Sequence, residues 1–549
     1  MSKILQFDHR ALKALAKGIK SLVKIVSVTL GPRGRNVIIK QKFGPPLSTR
    51  KGSCIAEEVC LKDPFENIGI QLAREASLKT RDLVGDGTTT TLLLVEAMYS
   101  AGIKKILSGC NPLMLNKGIN KAIVQIGHIL EEMSTKVTKF EEIKQIASTA
   151  TNNDLETSAL IANAIEKVGG EGNIRVVHSK TKVVETKLKV TEGIQIETGY
   201  LSPYFITNPE TTSVELKEPL ILVTDKKFSL AKEIIPILER VAEIKGQSLL
   251  IIAAGVEGEA LKTLILNKIR VGIPLCAIKI PERKKAVEEF FEELACLTGG
   301  ERISEKTGFS FNKIDVASFG RAKHVHVLKH CTTIIPSDAS LESRQNKIQE
   351  IRTAYRLSRS EEEKKRWKTK LSLLSGKTAC ILLDPSSESA FQEKQSQITT
   401  TIRATCAGME GGVVPGGGTA LLRAAKRLDN IPLILSDEEQ QGVEIVKEAC
   451  WISASTLARN TGQSGSLVAE KVYAHQGAWG FNALTEEMTD LSKAGIVDPL
   501  LVVTTALMSS SSLVNLLLNS AVVVAPTPWK TAKNSSYDSG QDILPKRTD

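Results

Sequence analysis

The chain has 549 residues, 42% hydrophobic, 4% aromatic and 24% charged, with a net charge of +11. That length calls for several domains. The composition is that of an ordinary globular protein and excludes a disordered or fibrous one; with so few aromatics, the cores must rest on Leu, Ile, Val and Ala. Residues 1–20 scatter Lys and Arg without an apolar run, so no signal peptide is expected. Leu500 to Pro526 comes closest to a membrane span, but Thr504, Thr505 and the run Ser509 to Ser512 interrupt it, and a cytoplasmic location is expected. Nine cysteines without a CxxC pair read as reduced thiols. The positive charge is modest for this length and reads first as a solvated basic surface, with contact to nucleic acid or an acidic partner as the other reading.

In chain order, residues 9–29 place Leu12, Leu15, Ile19, Leu22, Val23 and Val26 on one helical face and Lys13, Lys17, Lys20 and Lys24 on the other. Thr29-Leu30-Gly31-Pro32 ends this helix. Val37 to Ile39 is a short strand, followed by a turn at Phe43-Gly44-Pro45-Pro46. Helices are expected over 65–84, 92–107 and 113–133. Residues 135–190 are polar and mixed, with a strand at Ile174 to Val177 after the glycine turn at 169–172. Strands at Leu220–Val223, Leu249–Ala253 and Leu275–Ile280, separated by helix-length segments such as Glu257 to Ile269, give residues 193–376 an α/β texture. Residues 344–371 read as a charged helix pair, and Pro526 to Asp549 as a disordered tail. Glycine loops and long apolar helices recur in the first and last thirds, which suggests one domain built from both chain ends with the middle inserted.

The stretch Gly85-Asp86-Gly87-Thr88-Thr89-Thr90-Thr91 joins two predicted helices. Free N–H groups at a helix N-terminus suit an anion, glycines let phosphate approach the backbone, and a carboxylate there can hold Mg²⁺. The competing reading is a helix capped by threonine. Thr29–Gly34, Gly416–Gly418 and Ile496–Pro499 are further loops of the same kind, and no Walker A motif or strand-linked GxGxxG lies near them. His324 and His326 alternate on a predicted strand near His330 and Cys331; without a carboxylate partner they read as a polar strand face before a metal site. Tyr200, Tyr204 and Phe205 form an aromatic cluster that is either core or an exposed binding surface.

Taken together, these motifs resemble the group I chaperonins of the GroEL type over residues 1–525. The resemblance is carried, in family order, by Thr-Leu-Gly-Pro-Arg-Gly-Arg-Asn (29–36), Gly-Asp-Gly-Thr-Thr-Thr (85–90), Gly-Tyr-Leu-Ser-Pro-Tyr-Phe (199–205), Val-Glu-Gly-Glu-Ala-Leu (256–261), Leu-Thr-Gly-Gly (297–300), the glycines 416–418 and Asn482-Ala483. It implies an α/β multidomain fold with a mainly helical equatorial domain (1–133 and 411–525), a small hinge-like intermediate domain (134–191 and 377–410), an α/β apical domain (192–376) and a tail (526–549). It implies self-assembly into rings, which leaves open a single ring or one mixed with a paralogue, and work with a GroES-type co-chaperonin on non-native polypeptides. Neither nucleic acid nor membrane is expected as a partner. ATP and Mg²⁺ are the implied cofactors. By the resemblance, Thr29, Leu30, Gly31, Pro32, Gly417, Asn482, Ala483 and Asp498 hold the adenine nucleotide. Gly87, Thr88, Thr89 and Thr90 hold phosphates, and Asp86 the metal. Tyr200, Tyr204, Phe205, Ile235, Leu238, Leu261, Ile265 and Leu266 would form the apolar polypeptide-binding face.

The chain departs from the family pattern at positions that bear on mechanism. The family's water-orienting Asp, twelve residues ahead of the glycine matching Gly412, is Thr400 here. The family's Thr-Lys-Asp-Gly is Thr49-Arg50-Lys51-Gly52. A hydroxyl does not replace a carboxylate as base, and losing such a group lowers rate on the order of 10²–10⁴-fold. Lys377 replaces a hinge glycine, while Gly193 and Gly412 remain; Gln463-Ser464-Gly465 replaces a charged inter-ring segment; and the turn around Pro281-Glu282-Arg283 is shortened. The expectation is a divergent chaperonin that binds ATP and polypeptide with impaired hydrolysis and no catalytic carboxylate at position 400. The alternatives are a fully active ATP-dependent foldase and a single-ring or monomeric binding protein with a basic surface.

Overall fold

The computed structural model describes residues 3–40, 46–151, 154–169, 172–178, 187–209, 212–244, 247–280, 286–304, 315–337, 341–358, 360–374, 377–383, 388–432 and 434–526. The turn at 281–283, the middle of the 169–172 turn and the tail beyond Pro526 lie outside these residues. The chain divides into two compact units, one joining Met1–Leu155 to Arg403–Asp549 and the other spanning Glu156–Ile402.

The first unit is helical. The amphipathic pattern near the N-terminus forms the helix Asp8–Ser27, whose Leu12, Leu15, Ile19, Leu22, Val23 and Val26 are buried. It packs against Pro64–Val84, a helix that starts where sequence rules place a start: Asp63 accepts the N–H groups of Phe65 and Glu66, and proline takes the first helical position. The two helices approach through glycine, since a Cβ on Gly18 would strike the Glu66 carbonyl and one on Gly69 the Leu15 carbonyl. The same device joins Pro112–Met133 to Asp437–Ala449, where Gly118 faces the Glu439 carbonyl and Gly442 the Leu115 carbonyl. Thr88–Leu107 and Leu500–Leu518 pack together in this core. Leu500–Leu518 is long and apolar enough to cross a membrane by length and composition; here Leu500, Val503, Leu507, Val514 and Leu517 are buried among the other helices. Lys3–Phe7 pairs antiparallel with Val522–Pro526, and Val37–Ile39 with Leu47–Thr49.

The second unit is built on an eight-stranded sheet. Its main path runs Leu275–Lys279, Leu249–Ala253, Leu220–Thr224, Gly320–Val327, Thr332–Pro336 and Ile194–Ile196, with Arg302–Ile303 and Val214–Lys217 off that path. The first three strands are parallel. Leu220–Thr224 and Leu249–Ala253 are buried at every residue, as parallel strands covered on both faces require. From Gly320 onward the pairing is antiparallel. Helices Ala231–Glu243, Gly258–Val271 and Ala286–Thr298 supply core residues such as Ile237, Leu264 and Leu294. The charged pair, Leu341–Leu357 and Glu361–Leu374, contributes Ile351, Leu371 and Leu374 to the same core. A separate three-stranded sheet places Lys377–Leu383 between Asn173–His178 and Lys187–Glu192.

Candidate functional site

Six segments of the first unit converge on one site. The turn after Asp8–Ser27 is held from three directions. Thr29 Oγ1 donates to the Val26 carbonyl at 2.7 Å. Arg50 Nη2 donates to the carbonyls of Gly31 at 2.8 Å and Pro32 at 3.3 Å. Asn460 Nδ2 donates to the carbonyls of Ser27 and Leu30, both at 2.9 Å. Thr29 is buried; Leu30, Gly31 and Pro32 are half-buried.

The second segment is Gly85-Asp86-Gly87. Both glycines are left-handed, with φ of 83° and 89°, a region that a side chain enters only with strain. Asp86 Oδ1 accepts the Gly87 N–H at 2.7 Å. The helix begins at Thr88 rather than at Leu92, and no side chain caps it. The threonine-cap alternative is therefore overturned: Thr91 Oγ1 instead donates back to the Gly87 carbonyl at 2.9 Å. By helix geometry the amides of Thr88, Thr89 and Thr90 have no carbonyl within the helix to bind. A third segment, Lys51-Gly52, lies on this turn, because a Cβ on Gly52 would stand 2.7 Å from Thr89 Oγ1.

The remaining three segments come from the C-terminal part of the chain. Val413–Pro415 pairs antiparallel with Val497–Pro499, setting Val414 opposite Asp498. The Gly416 N–H continues the pairing to the Ile496 carbonyl at 3.0 Å. Gly417, at φ 63°, passes near the Phe481 carbonyl. Asn482 ends the strand Trp479–Asn482, its Oδ1 accepting the Leu484 N–H at 3.0 Å, and Ala483 is buried beside it.

The electrostatics join the two halves. Burial raises the Asp86 carboxyl above its ordinary value, against the opposing pull of the Gly87 N–H and the Lys51 charge. Burial, and then the neighbouring Asp86 charge, push Asp498 up to about 7. Asp86 is nonetheless open to solvent and Asp498 half-buried. The two carboxylates thus line an accessible site crowded by protein, where like charges oppose each other. Among the described residues no group of three or more His, Cys, Asp and Glu side chains gathers as a metal site. His324 and His326 sit half-buried on the strand Gly320–Val327.

The second unit holds Thr400 and the apolar candidates. Thr400 lies within the helix Glu388–Gly411, its hydroxyl donating to the carbonyls of Ser396 and Gln397 at 2.9 Å each. Among the apolar candidates, Tyr204 is 67% exposed whereas its neighbour Phe205 is 0% exposed. Ile235 and Leu266 are exposed, Tyr200, Leu261 and Ile265 half-buried, and Leu238 buried. Phe205 and Leu238 therefore belong to the core. The helices Ala231–Glu243 and Gly258–Val271, which carry Ile235, Leu261, Ile265 and Leu266, lie side by side, and the turn Pro203–Phe205 that carries Tyr204 lies against the second of them. Ile269, three residues on from Leu266 in the same helix, is also 63% exposed.

Residues 22–528 match the model of the TCP-1/cpn60 chaperonin family. The chain belongs to this family. Its relatives place it in the group I, GroEL-like branch. It is 43% identical over 532 residues to Chaperonin GroEL 1 of Protochlamydia amoebophila (strain UWE25), covering 96% of this chain and 94% of that protein. Among solved structures it is similar to the chaperonin gp146 from the bacteriophage EL 2 (Pseudomonas aeruginosa), crystallised in the presence of ATP-BeFx. The TM-score is 0.73 at 18% identity, with 95% of this chain and 99% of that one covered. A second crystal form of gp146 gives a TM-score of 0.63 over the same spans. At that identity the likeness speaks for the fold alone. The protein is a chaperonin, and assistance to protein folding is its function class.

Proposed function

We propose that this chaperonin binds Mg²⁺-ATP in the first unit, captures non-native polypeptide on the apolar face of the second, and hydrolyses ATP slowly or not at all. One observation carries the nucleotide reading: the uncapped start of Thr88–Leu107 follows the left-handed glycines Gly85 and Gly87, with Asp86 between them and Asp498 within electrostatic reach of Asp86. The amides of Thr88, Thr89 and Thr90 would take phosphate oxygens. Thr29 to Pro32, Gly417, Asn482, Ala483 and Asp498 would hold the adenine nucleotide. Carboxylate and hydroxyl oxygens suit a hard cation, so Asp86 would hold Mg²⁺, which neutralises phosphate charge when bound.

Polypeptide capture would use Tyr204, Ile235 and Leu266 with the half-buried Tyr200, Leu261 and Ile265. Weak apolar contacts repeated around a ring gain strength by avidity. The family's division into equatorial (1–133, 411–525), intermediate (134–191, 377–410) and apical (192–376) domains, its ring assembly, its co-chaperonin and a cytoplasmic location complete this reading.

The test separates binding from turnover. Equilibrium ATP binding should be intact while steady-state hydrolysis stays far below rates usual for the family. Restoring carboxylates in Thr400→Asp with Lys51→Asp should raise turnover on the order of 10²-fold. Unmodified protein that already hydrolyses at the family's usual rate would overturn the impairment and favour the active foldase.

A further inference from the structure

We propose that the Lys51 ammonium is itself a phosphate ligand and supplies part of the charge a divalent cation would bring, so that this site takes a nucleoside triphosphate with a weakened requirement for magnesium. The inference rests on the nucleotide reading above.

The backbone at Lys51 is fixed on both sides. Its N–H donates to Thr49 Oγ1 at 3.1 Å, and its carbonyl accepts the Ile55 N–H at 3.2 Å as the helix Gly52–Glu58 begins. The contact of Gly52 with Thr89 sets residue 51 against the first turn of Thr88–Leu107, where the amides point outward. Lys51 is half-buried, so solvent screens its charge only in part. It lies within electrostatic reach of Asp86.

Two effects then act in the same direction. A fixed positive charge beside the helix N-terminus attracts phosphate oxygens by a charge-assisted hydrogen bond. The same charge beside Asp86 opposes entry of a second cation at that carboxylate. Where the family pattern carries a carboxylate at this position, lysine changes the local charge from −1 to +1, a difference of two units. Without Lys51, a metal-free triphosphate would meet Asp86 and Asp498 with one fewer positive charge to offset them. With it, the triphosphate meets a site whose own charges are partly balanced.

The full chain is titrated calorimetrically with ATP, once in magnesium and once in EDTA. Removing magnesium should weaken binding to the unmodified protein by no more than about tenfold, and binding to Lys51→Met by about 100-fold. Lys51→Arg, which keeps the charge, should follow the unmodified protein, and binding of Lys51→Met in magnesium serves as the control for its folding. Binding that survives in magnesium but vanishes in EDTA for the unmodified protein would overturn the inference and leave the nucleotide reading standing. Equal metal-free affinity in Lys51→Met, or loss in Lys51→Arg as large as in Lys51→Met, would overturn it too. No binding under either condition would remove the nucleotide reading and this inference with it.

Discussion

The two units build their candidate sites from different material. In the first, the groups proposed to face the ligand are mostly backbone: helix-start amides at Thr88 to Thr90 and left-handed turns at Gly85, Gly87 and Gly417. In the second, the candidate face is made of side chains, and the degree of burial decides which of them take part. Backbone sites are written in glycine and in helix starts, which a sequence displays openly. Side-chain faces are decided by packing, so that adjacent aromatics take opposite fates: Tyr204 faces solvent and Phe205 fills the core.

That contrast can be broken at Tyr204 and Phe205. Phe205→Ala should destabilise the second unit by about 3–5 kcal/mol, the usual effect of emptying a buried aromatic site. Tyr204→Ala should leave stability within about 0.5 kcal/mol while weakening capture of an unfolded client. Hydrogen exchange of the strand Leu220–Thr224 reads the first effect locally, which matters because a two-unit chain has no single unfolding free energy. Equal protection loss in both variants would mean that the exposed and buried aromatics are not distinct.

The first unit is sharpened at Gly118. The helices Pro112–Met133 and Asp437–Ala449 touch backbone to backbone there, and a methyl on Gly118 has only the rigid Glu439 carbonyl to meet. Gly118→Ala should therefore destabilise this pair by about 1–3 kcal/mol, despite alanine's better helix propensity. Faster amide exchange over Leu115 to Leu130 is the expected readout. Unchanged exchange would show that the helices slide apart without loss.

Much of the fold was legible because periodic apolar residues mark helices and continuous apolar runs mark buried parallel strands. The start of Thr88–Leu107 was misplaced because the four threonines carry no apolar signal; Gly87, not hydrophobic period, sets the start. The pairing of Lys3–Phe7 with Val522–Pro526 was not legible, since each strand is short and its partner lies at the far end of the chain. The resemblance assigned Asp86, Asp498 and the glycine loops to one nucleotide site and put the Lys51 charge near its metal, but the electrostatic closeness of Asp86 and Asp498 was not legible. Sequence spacing does not encode which loops fold onto one another. The burial of Phe205 and Leu238 was not legible for a related reason: matching a family's apolar position does not show which way a packed side chain turns.

The smallest expected effect concerns a charge held by side chains alone. Glu293 of Ala286–Thr298 lines a cavity of about 320 Å³ with Glu289, Glu292, Trp367, Lys370 and Leu374. Its side chain is 12% exposed and lies 3.3 Å from Lys370 Nζ. Burial raises its carboxyl above the ordinary range, Lys370 opposes that rise, and Glu292 adds to it. A carboxyl raised by folding favours the protonated native state. Stability contributed at low pH is therefore lost as pH climbs from the ordinary carboxylate range through the raised value, and is flat above it. Glu293→Gln removes the buried charge, and Lys370 keeps Glu289 as a partner at 3.1 Å. The variant should gain about 1 kcal/mol or less over the unmodified protein at pH 8, with the gain shrinking as pH approaches the ordinary carboxylate range. Exchange protection of Ala286–Thr298, the helix that carries Glu293, reads this across a pH series. A loss at pH 8 would mean that the Lys370 attraction outweighs burial, and that this buried side-chain charge, unlike Asp86 and Asp498 in the first unit, stabilises the fold that holds it.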